Sequence, residues 1–204
     1  NISSQMAPTL NTLGTSAKEL SAQAPRYAEQ MQAQVAALKQ FSDNIQELSS
    51  LENSLTEPYE MGEVNAGTFC ESVMEKAKEF MKPDVTPSVN APKLQVKTNK
   101  EQLERILLYL LKNAAFYTEQ GRISLDFKKR GAHTHQFIIT DTGTGIPAEQ
   151  QENLFKPFTQ VKDLTTGDGL GLPICSLIAT KMNGSLTLDT SYTKGCRFIL
   201  ELHA

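Results

Sequence analysis

Two helical patterns of apolar residues fill the first 56 positions of the chain. In the first, the apolar steps of three and four resemble a heptad seam, at Ile2, Met6, Leu10, Leu13, Ala17 and Leu20. The second has the same spacing, at Tyr27, Met31, Val35, Leu38, Phe41, Ile45, Leu48 and Leu51. Pro25 suits the first turn of that second helix. The pattern therefore predicts a helical hairpin over residues 1–56.

The two apolar seams of this hairpin need a cover. Two amphipathic helices joined by a short turn cannot bury both seams alone, whereas two copies can pair into a four-helix bundle. The alternative is packing against the rest of the same chain. A second helix of roughly 40 Å, at 1.5 Å per residue, favours the homodimer.

Residues 57–204 alternate between strand-like and helical patterns and are predicted to form a second domain. Glu57-Pro58 ends the hairpin pattern and indicates a linker. Helical spacing covers 69–80 and 103–114, and apolar alternation indicates strands at 94–98, 123–127, 135–139, 186–188 and 196–202. Pro87 and Pro92 are expected to flank short extended pieces of the kind found at sheet edges. The expected fold class is α+β, with a mixed sheet and helices after the hairpin.

The most informative stretch is 141–172. Asp141 follows the strand-like run 137–140, and glycines follow it at Gly143 and Gly145. Three more glycines, Gly167, Gly169 and Gly171, lead into an apolar helical pattern. A helix start with free N–H groups suits a phosphate. The spacing fits neither a Walker loop nor a dinucleotide fingerprint, and two ordinary glycine-rich turns around a loop are the alternative interpretation.

Four segments resemble the boxes of the histidine-kinase-type ATP-binding domain, in the order of that family. LLKNAAFYT at 110–118 is similar to its asparagine box, and DTGTGIP at 141–147 to its first glycine box. FKPF at 155–158 resembles its phenylalanine box, and GDGLGL at 167–172 its second glycine box. The resemblance implies the α/β sandwich called the Bergerat fold, with ATP and Mg²⁺ as cofactors.

The same resemblance implies roles for individual residues. Asn113 would bind Mg²⁺, Asp141 would accept a hydrogen bond from the adenine amine, and Tyr117 would lie against adenine. The pocket and its lid would be shaped by Gly143, Gly145, Gly167, Gly169, Leu170 and Gly171. For Asn113, the alternative is a hydrogen-bonded core asparagine. Two positions depart from the family, because Tyr109 replaces a polar residue and Phe116 replaces the usual lysine.

The hairpin resembles the dimerisation and phosphoacceptor domain of sensor histidine kinases. The position matching the acceptor histidine is Ser4, and the position matching its neighbouring acid is Gln5. A serine hydroxyl needs a base before it can attack a phosphate, and an amide cannot be that base. Three explanations stay open: an engineered replacement, a natural pseudokinase or scaffold, or a look-alike hairpin in which Ser4 is a helix N-cap.

Composition and charge bear on nucleic-acid binding, membrane contact and metal binding. A net charge of −3 argues against a nucleic-acid surface. With no apolar run of about 20 residues, we expect a soluble fragment without direct membrane contact. The resemblance to sensor histidine kinases implies a cytoplasmic location. The three cysteines show no metal-ligand spacing and are expected to be buried and reduced. The histidines His133, His135 and His203 are expected to be structural or solvent-facing.

The resemblance implies a sensor histidine kinase core. It would transfer the γ-phosphoryl group of Mg·ATP to a histidine on the hairpin and then to a response-regulator receiver domain. A non-catalytic dimeric scaffold that binds nucleotide or a receiver domain is the first alternative, which Ser4, Gln5 and Phe116 favour. A different relative of the fold, such as a protein-serine kinase or an ATPase, is the second.

Overall fold

The computed structural model describes residues 8–16, 25–158 and 169–203. The chain divides into two compact units, of which the first ends at Asn53 and the second begins at Ser54.

Two helices are described in the first unit. Residues 8–16 form α1, and Pro25–Asn53 form α2. A Cβ placed on Gly14 would lie 3.7 Å from Cγ1 of Val35, so α1 and α2 pack against each other. The predicted seam residues Ile2, Met6, Ala17 and Leu20 lie outside the described residues.

The described residues of the second unit form four helices and seven strands. In chain order they are β1 (Gly62–Asn65), α3 (Ala66–Lys78), β2 (Val85–Asn90), β3 (Gln95–Thr98), α4 (Lys100–Tyr117), β4 (Gly121–Lys129), β5 (Thr134–Asp141), α5 (Ala148–Gln151), α6 (Gly171–Lys181), β6 (Gly184–Leu188) and β7 (Arg197–His203). The sequence pattern did not predict α5.

Five of these strands form one mixed sheet in the order β2-β4-β5-β7-β6. Strand β2 runs parallel to β4, and the other pairs are antiparallel. Pro87 lies within β2 at the edge of the sheet, where a missing N–H donor is tolerated. The edge position agrees with the expectation, but Pro87 lies inside the strand and not beside it. Strands β1 and β3 form a separate antiparallel pair.

Two asparagines fix where the helices of this unit begin. Asn65 Oδ1 accepts from the N–H of Thr68 at the start of α3, and Asn99 Oδ1 accepts from the N–H of Gln102 at the start of α4. Each bond satisfies one of the N–H groups that a helix start leaves without a helical partner.

The core lies between one face of the sheet and helices α3, α4 and α6. Alternate residues of β4 and β5 point into it, including Ile123, Leu125 and Ile139, each at most 1% exposed. Leu103, Leu107 and Leu111 of α4 are fully buried against them. This two-layer sandwich confirms the predicted α+β fold class.

Candidate nucleotide-binding site

Asp141 is the last residue of β5 and is only 5% exposed. Its Oδ1 accepts from the N–H groups of Gly143 at 2.9 Å and Cys196 at 3.1 Å. Among the described residues, both hydrogen bonds to this carboxylate go to Oδ1. Oδ2 is therefore the oxygen that could accept a bond from a ligand.

Two opposing effects set the protonation of Asp141. Burial raises the pKa of this carboxyl above its usual value, while the N–H bonds from Gly143 and Cys196 partly offset that rise. Burial and the nearby Asp141 charge raise the pKa of the Cys196 thiol to about 12. The thiol beside the carboxylate is therefore protonated at neutral pH.

The first glycine turn packs against the C-terminal end of α4. A Cβ on Gly143 would lie 2.4 Å from the Tyr117 carbonyl oxygen, so only glycine fits there. The N–H of Thr144 donates to that same carbonyl at 3.2 Å. Gly145 has a φ of 73°, in the left-handed region that favours glycine. The turn thus places Asp141 beside Tyr117.

One face of α4 carries the other polar candidates. Tyr109, Asn113 and Tyr117 follow one another at four-residue steps, so they lie on the same side of the helix. The eight helical steps from Tyr109 to Tyr117 span ~12 Å at 1.5 Å per residue. All three side chains are half-buried. The Tyr117 ring meets the Phe116 ring edge-on with centroids 4.9 Å apart.

The start of α6 lies at the opposite end of that face. A Cβ on Gly171 would lie 2.1 Å from the Tyr109 hydroxyl oxygen, so a glycine is required for this contact. Gly169 has a φ of 70°, and Leu170 is fully buried. No side chain caps the start of α6, which leaves N–H groups available to an anion.

The structure therefore gathers five of the predicted residues along α4: Asn113, Tyr117, Asp141, Gly143 and Gly171. Gly145 and Gly169 shape the turns on either side. Ser4, Gln5 and Gly167 lie outside the described residues, as does the predicted lid, 159–168.

Two phenylalanines flank the site in different ways. Phe155 packs edge-on against Phe198 of β7, with ring centroids 6.5 Å apart. Phe158 is 59% exposed and has a φ of 64°, a strained value for a residue with a bulky side chain. Phe116 of α4 is also exposed, at 52%.

Sequence reasoning missed the contacts that the turn between β6 and β7 makes with Asp141. The hydroxyl of Tyr192 donates to the Asp141 carbonyl oxygen at 3.1 Å, and a Cβ on Gly195 would lie 2.2 Å from that same oxygen. Gly195 has a φ of 144°. No pattern in the sequence connects Tyr192 to Asp141.

The cysteines differ in burial, because Cys196 is only half-buried although all three were expected to be buried. Cys70 and Cys175 are buried free thiols. His135 is buried and stacks on Phe127, and burial lowers its pKa. Across residues 8–16, 25–158 and 169–203, no three His, Cys, Asp or Glu side chains could share a metal ion. None of the helices described there is long and apolar enough to cross a membrane.

Fold and sequence together define a class, the histidine-kinase-type ATP-binding domain. Residues 98–204 match the family described as histidine kinase-, DNA gyrase B- and HSP90-like ATPase. The chain belongs to this family. The resemblance to a sensor histidine kinase core is confirmed.

The relatives in sequence are sensor kinases. The chain is 26% identical to the aerobic respiration control sensor protein ArcB of Escherichia coli, over 91% of this chain and 25% of ArcB. It is 33% identical to the sensor histidine kinase RcsC of Salmonella typhimurium, over 60% of this chain and 13% of RcsC. The chain thus spans a quarter or less of the length of these two relatives.

Solved structures share the fold. Full-length ShkA, solved in complex with AMPPNP, has a TM-score of 0.80 at 21% identity, covering 98% of this chain and 44% of ShkA. The histidine kinase AdeS of Acinetobacter baumannii has a TM-score of 0.73 at 19% identity, covering 96% of this chain and 95% of that one. At these identities the likeness shows the fold alone.

Proposed function

We propose that the chain is the catalytic core of a two-component sensor histidine kinase, with Ser4 at the phosphoacceptor position. The observation that carries this proposal is Asp141. It is a buried carboxylate at a strand end, with one oxygen held by two backbone N–H groups. An acceptor fixed in this way suits a donor such as the adenine amine, and a bond to a charged group contributes about 1.5–3 kcal/mol.

The nucleotide would extend from Asp141 along α4 toward the start of α6. Tyr117 lies at the Asp141 end, where its ring can stack on a base. The N–H groups at the start of α6 lie at the Tyr109 end, where they can bind phosphate. Asn113 lies between them. This order matches the base-to-phosphate direction of ATP.

Asn113 fits a magnesium site in which phosphate oxygens of the nucleotide supply most of the other ligands. Its amide oxygen is a hard ligand on a half-buried helix face, and Mg²⁺ in nucleotide sites takes few protein ligands beside phosphates and water. When bound, the ion would neutralise charge on the transferred phosphoryl group. Asn113 would position the phosphate end, and Asp141 would hold the base.

The hairpin would supply the acceptor helix and the homodimer. In this reading the phosphoryl group passes to a histidine on the hairpin and then to an aspartate on a response-regulator receiver domain. As the sequence stands, Ser4 and Gln5 offer neither an imidazole nor a base. The chain would then bind Mg·ATP without labelling its own first helix.

A non-catalytic dimeric scaffold is the second candidate. Phe116 favours it, because a side chain without charge is exposed on α4 where the family has a lysine that would attract phosphate. Such a chain would bind nucleotide or a receiver domain but transfer no phosphoryl group.

The test is to restore the acceptor. Ser4→His should acquire label from γ-labelled ATP, and the label should be acid-labile, as a phosphoramidate is. The unmutated chain should stay unlabelled, and labelling should vanish in Ser4→His combined with Asn113→Ala. If Ser4→His binds ATP but takes up no label, the kinase proposal fails and the scaffold replaces it.

A further inference from the structure

The turn between β6 and β7 makes three hydrogen bonds with Asp141. The N–H of Asp141 donates to the Cys196 carbonyl at 2.9 Å, and the Cys196 N–H donates to Asp141 Oδ1 at 3.1 Å. The Tyr192 hydroxyl donates to the Asp141 carbonyl oxygen at 3.1 Å. The same short turn thus contacts the N–H, the carbonyl and the carboxylate of one residue.

Tyr192 is itself held in place by charged groups. The Arg197 guanidinium lies 4.2 Å from the centroid of the Tyr192 ring. Arg197 Nη1 donates to Asp189 Oδ2 at 3.2 Å, and Arg197 Nε donates to Thr140 Oγ1 at 3.2 Å. Because two hydrogen bonds hold the Arg197 side chain, Arg197 in turn restrains the Tyr192 ring that it contacts.

Asp189 completes the support from inside the turn. Its Oδ1 accepts from the Ser191 hydroxyl at 2.6 Å and from the Ser191 N–H at 3.0 Å. These bonds from Ser191, with Arg197, hold the pKa of Asp189 below its usual value. Asp189 is therefore ionised at neutral pH and keeps its bond to Arg197.

We infer that Tyr192 is a positioning residue for base recognition, supported by Arg197 and Asp189. Its hydroxyl fixes the Asp141 carbonyl, and this restrains the backbone that carries the Asp141 carboxylate. This inference rests on the proposed role of Asp141 in binding adenine. It assigns Tyr192 no contact with the nucleotide itself.

The test compares Tyr192, whose hydroxyl donates to Asp141, with Tyr59, whose ring also lies beside a cation. Tyr192→Phe removes the hydroxyl but keeps the ring beside Arg197. Tyr59→Phe is the matched control, because Lys181 Nζ lies 4.7 Å from the Tyr59 ring in a similar cation–π pair. By titration calorimetry, Tyr192→Phe should bind Mg·ATP about three- to tenfold more weakly, the loss expected from one hydrogen bond. Tyr59→Phe should bind like the unmutated chain.

A double-mutant cycle separates positioning from general loosening of the fold. In an Asp141→Asn background, Tyr192→Phe should weaken Mg·ATP binding less than about twofold, because the residue on which it acts is already impaired. Arg197→Gln should weaken binding in the unmutated chain and add little to Tyr192→Phe.

The outcomes are distinct. If the unmutated chain binds no Mg·ATP, the proposed function fails and this inference fails with it. If the unmutated chain binds and Tyr192→Phe binds equally well, only this inference is overturned. The inference would also be overturned if Tyr192→Phe reduced Mg·ATP affinity equally in the unmutated chain and in Asp141→Asn. The hydroxyl would then stabilise the fold in general and would not act through Asp141.

Discussion

The two units of the chain bury their apolar residues to different extents. In the ATP-binding unit, α4 has Leu103, Leu107 and Leu111 fully buried beneath the sheet. In α2 of the hairpin, the predicted seam is only partly covered, since Leu48 and Leu51 are buried but Leu38 is 43% exposed and Tyr27 is 69% exposed. Four seam residues between them are half-buried, namely Met31, Val35, Phe41 and Ile45.

This contrast shows that similar apolar spacing can serve two purposes. The α4 pattern is nearly continuous and is covered by the sheet of its own unit. The α2 pattern is a narrow stripe that α1 covers incompletely, and a second copy of the hairpin would cover the rest. We therefore propose that the ATP-binding unit is self-sufficient and that the hairpin is completed by dimerisation.

Removing the hairpin should have the largest effect on assembly. The full chain is expected to be a homodimer, and a chain of residues 57–204 a folded monomer, because the apolar stripe is then gone. Light scattering at high micromolar concentration measures both. Mg·ATP affinity should change little, because the proposed nucleotide residues all lie after position 57.

Two results would break that part of the comparison. A monomeric full chain would show that the hairpin needs no second copy. An oligomeric state unchanged by the deletion would place the dimer contact elsewhere.

Truncating one apolar side chain in each unit should give a smaller but clear difference. Phe137→Ala removes a ring that is 1% exposed in the sheet core and should cost about 3–5 kcal/mol. Leu38→Ala removes a side chain that is 43% exposed and should cost much less within one chain, while weakening the dimer. Chemical denaturation reports the first effect and light scattering on dilution reports the second. Equal losses of stability would contradict the contrast in burial.

The smallest expected effect concerns the charge on Asp141. Because burial raises its folded-state pKa, its contribution to stability is fully present below the unfolded pKa and is lost as pH rises through the folded pKa. At pH 7 the buried charge therefore costs stability. Asp141→Asn should raise the melting temperature without nucleotide, by about 2–4 °C if the relief is near 1 kcal/mol.

Asp189→Asn provides the control with the opposite sign. The folded-state pKa of Asp189 is lowered, so its contribution is present above the unfolded pKa and lost as pH falls. Thermal scans at pH 7 and pH 4 should show Asp141→Asn above and Asp189→Asn below the unmutated chain at pH 7. The Asp141→Asn gap should narrow at pH 4, whereas the Asp189→Asn gap should largely remain, because pH 4 is not yet below the folded-state pKa of Asp189. Melting-temperature shifts of the same sign in both variants would contradict the opposite pKa shifts assigned to Asp141 and Asp189.

The sequence predicted the fold well where periodicity was strong. The α4 pattern and the alternation in β4, β5 and β7 led to the right element types, because a two-layer sandwich buries one face of each. The short α5 has no periodicity long enough to reveal it. The described strands β1 and β3 pair with each other in a separate sheet. Which strands pair depends on tertiary packing and could not be predicted from local patterns.

Sequence reasoning could single out candidate site residues that have a local chemical reason. Asp141, Gly143 and Gly171 stood out because an acid at a strand end and glycines beside a helix start are typical of nucleotide sites, and their roles stay predictions. Tyr192 was missed because its partner lies 51 residues away along the chain, and the bond goes to a backbone carbonyl. No side-chain pattern encodes such a contact.

The central claim is that Asp141 anchors a nucleotide, and titration of Mg·ATP tests it most directly. The unmutated chain should show saturable binding at one site per chain. Asp141→Asn should bind roughly tenfold or more weakly, the loss expected from one hydrogen bond to a charged acceptor. Saturable binding that Asp141→Asn leaves unchanged, or no binding by the unmutated chain, would contradict the account.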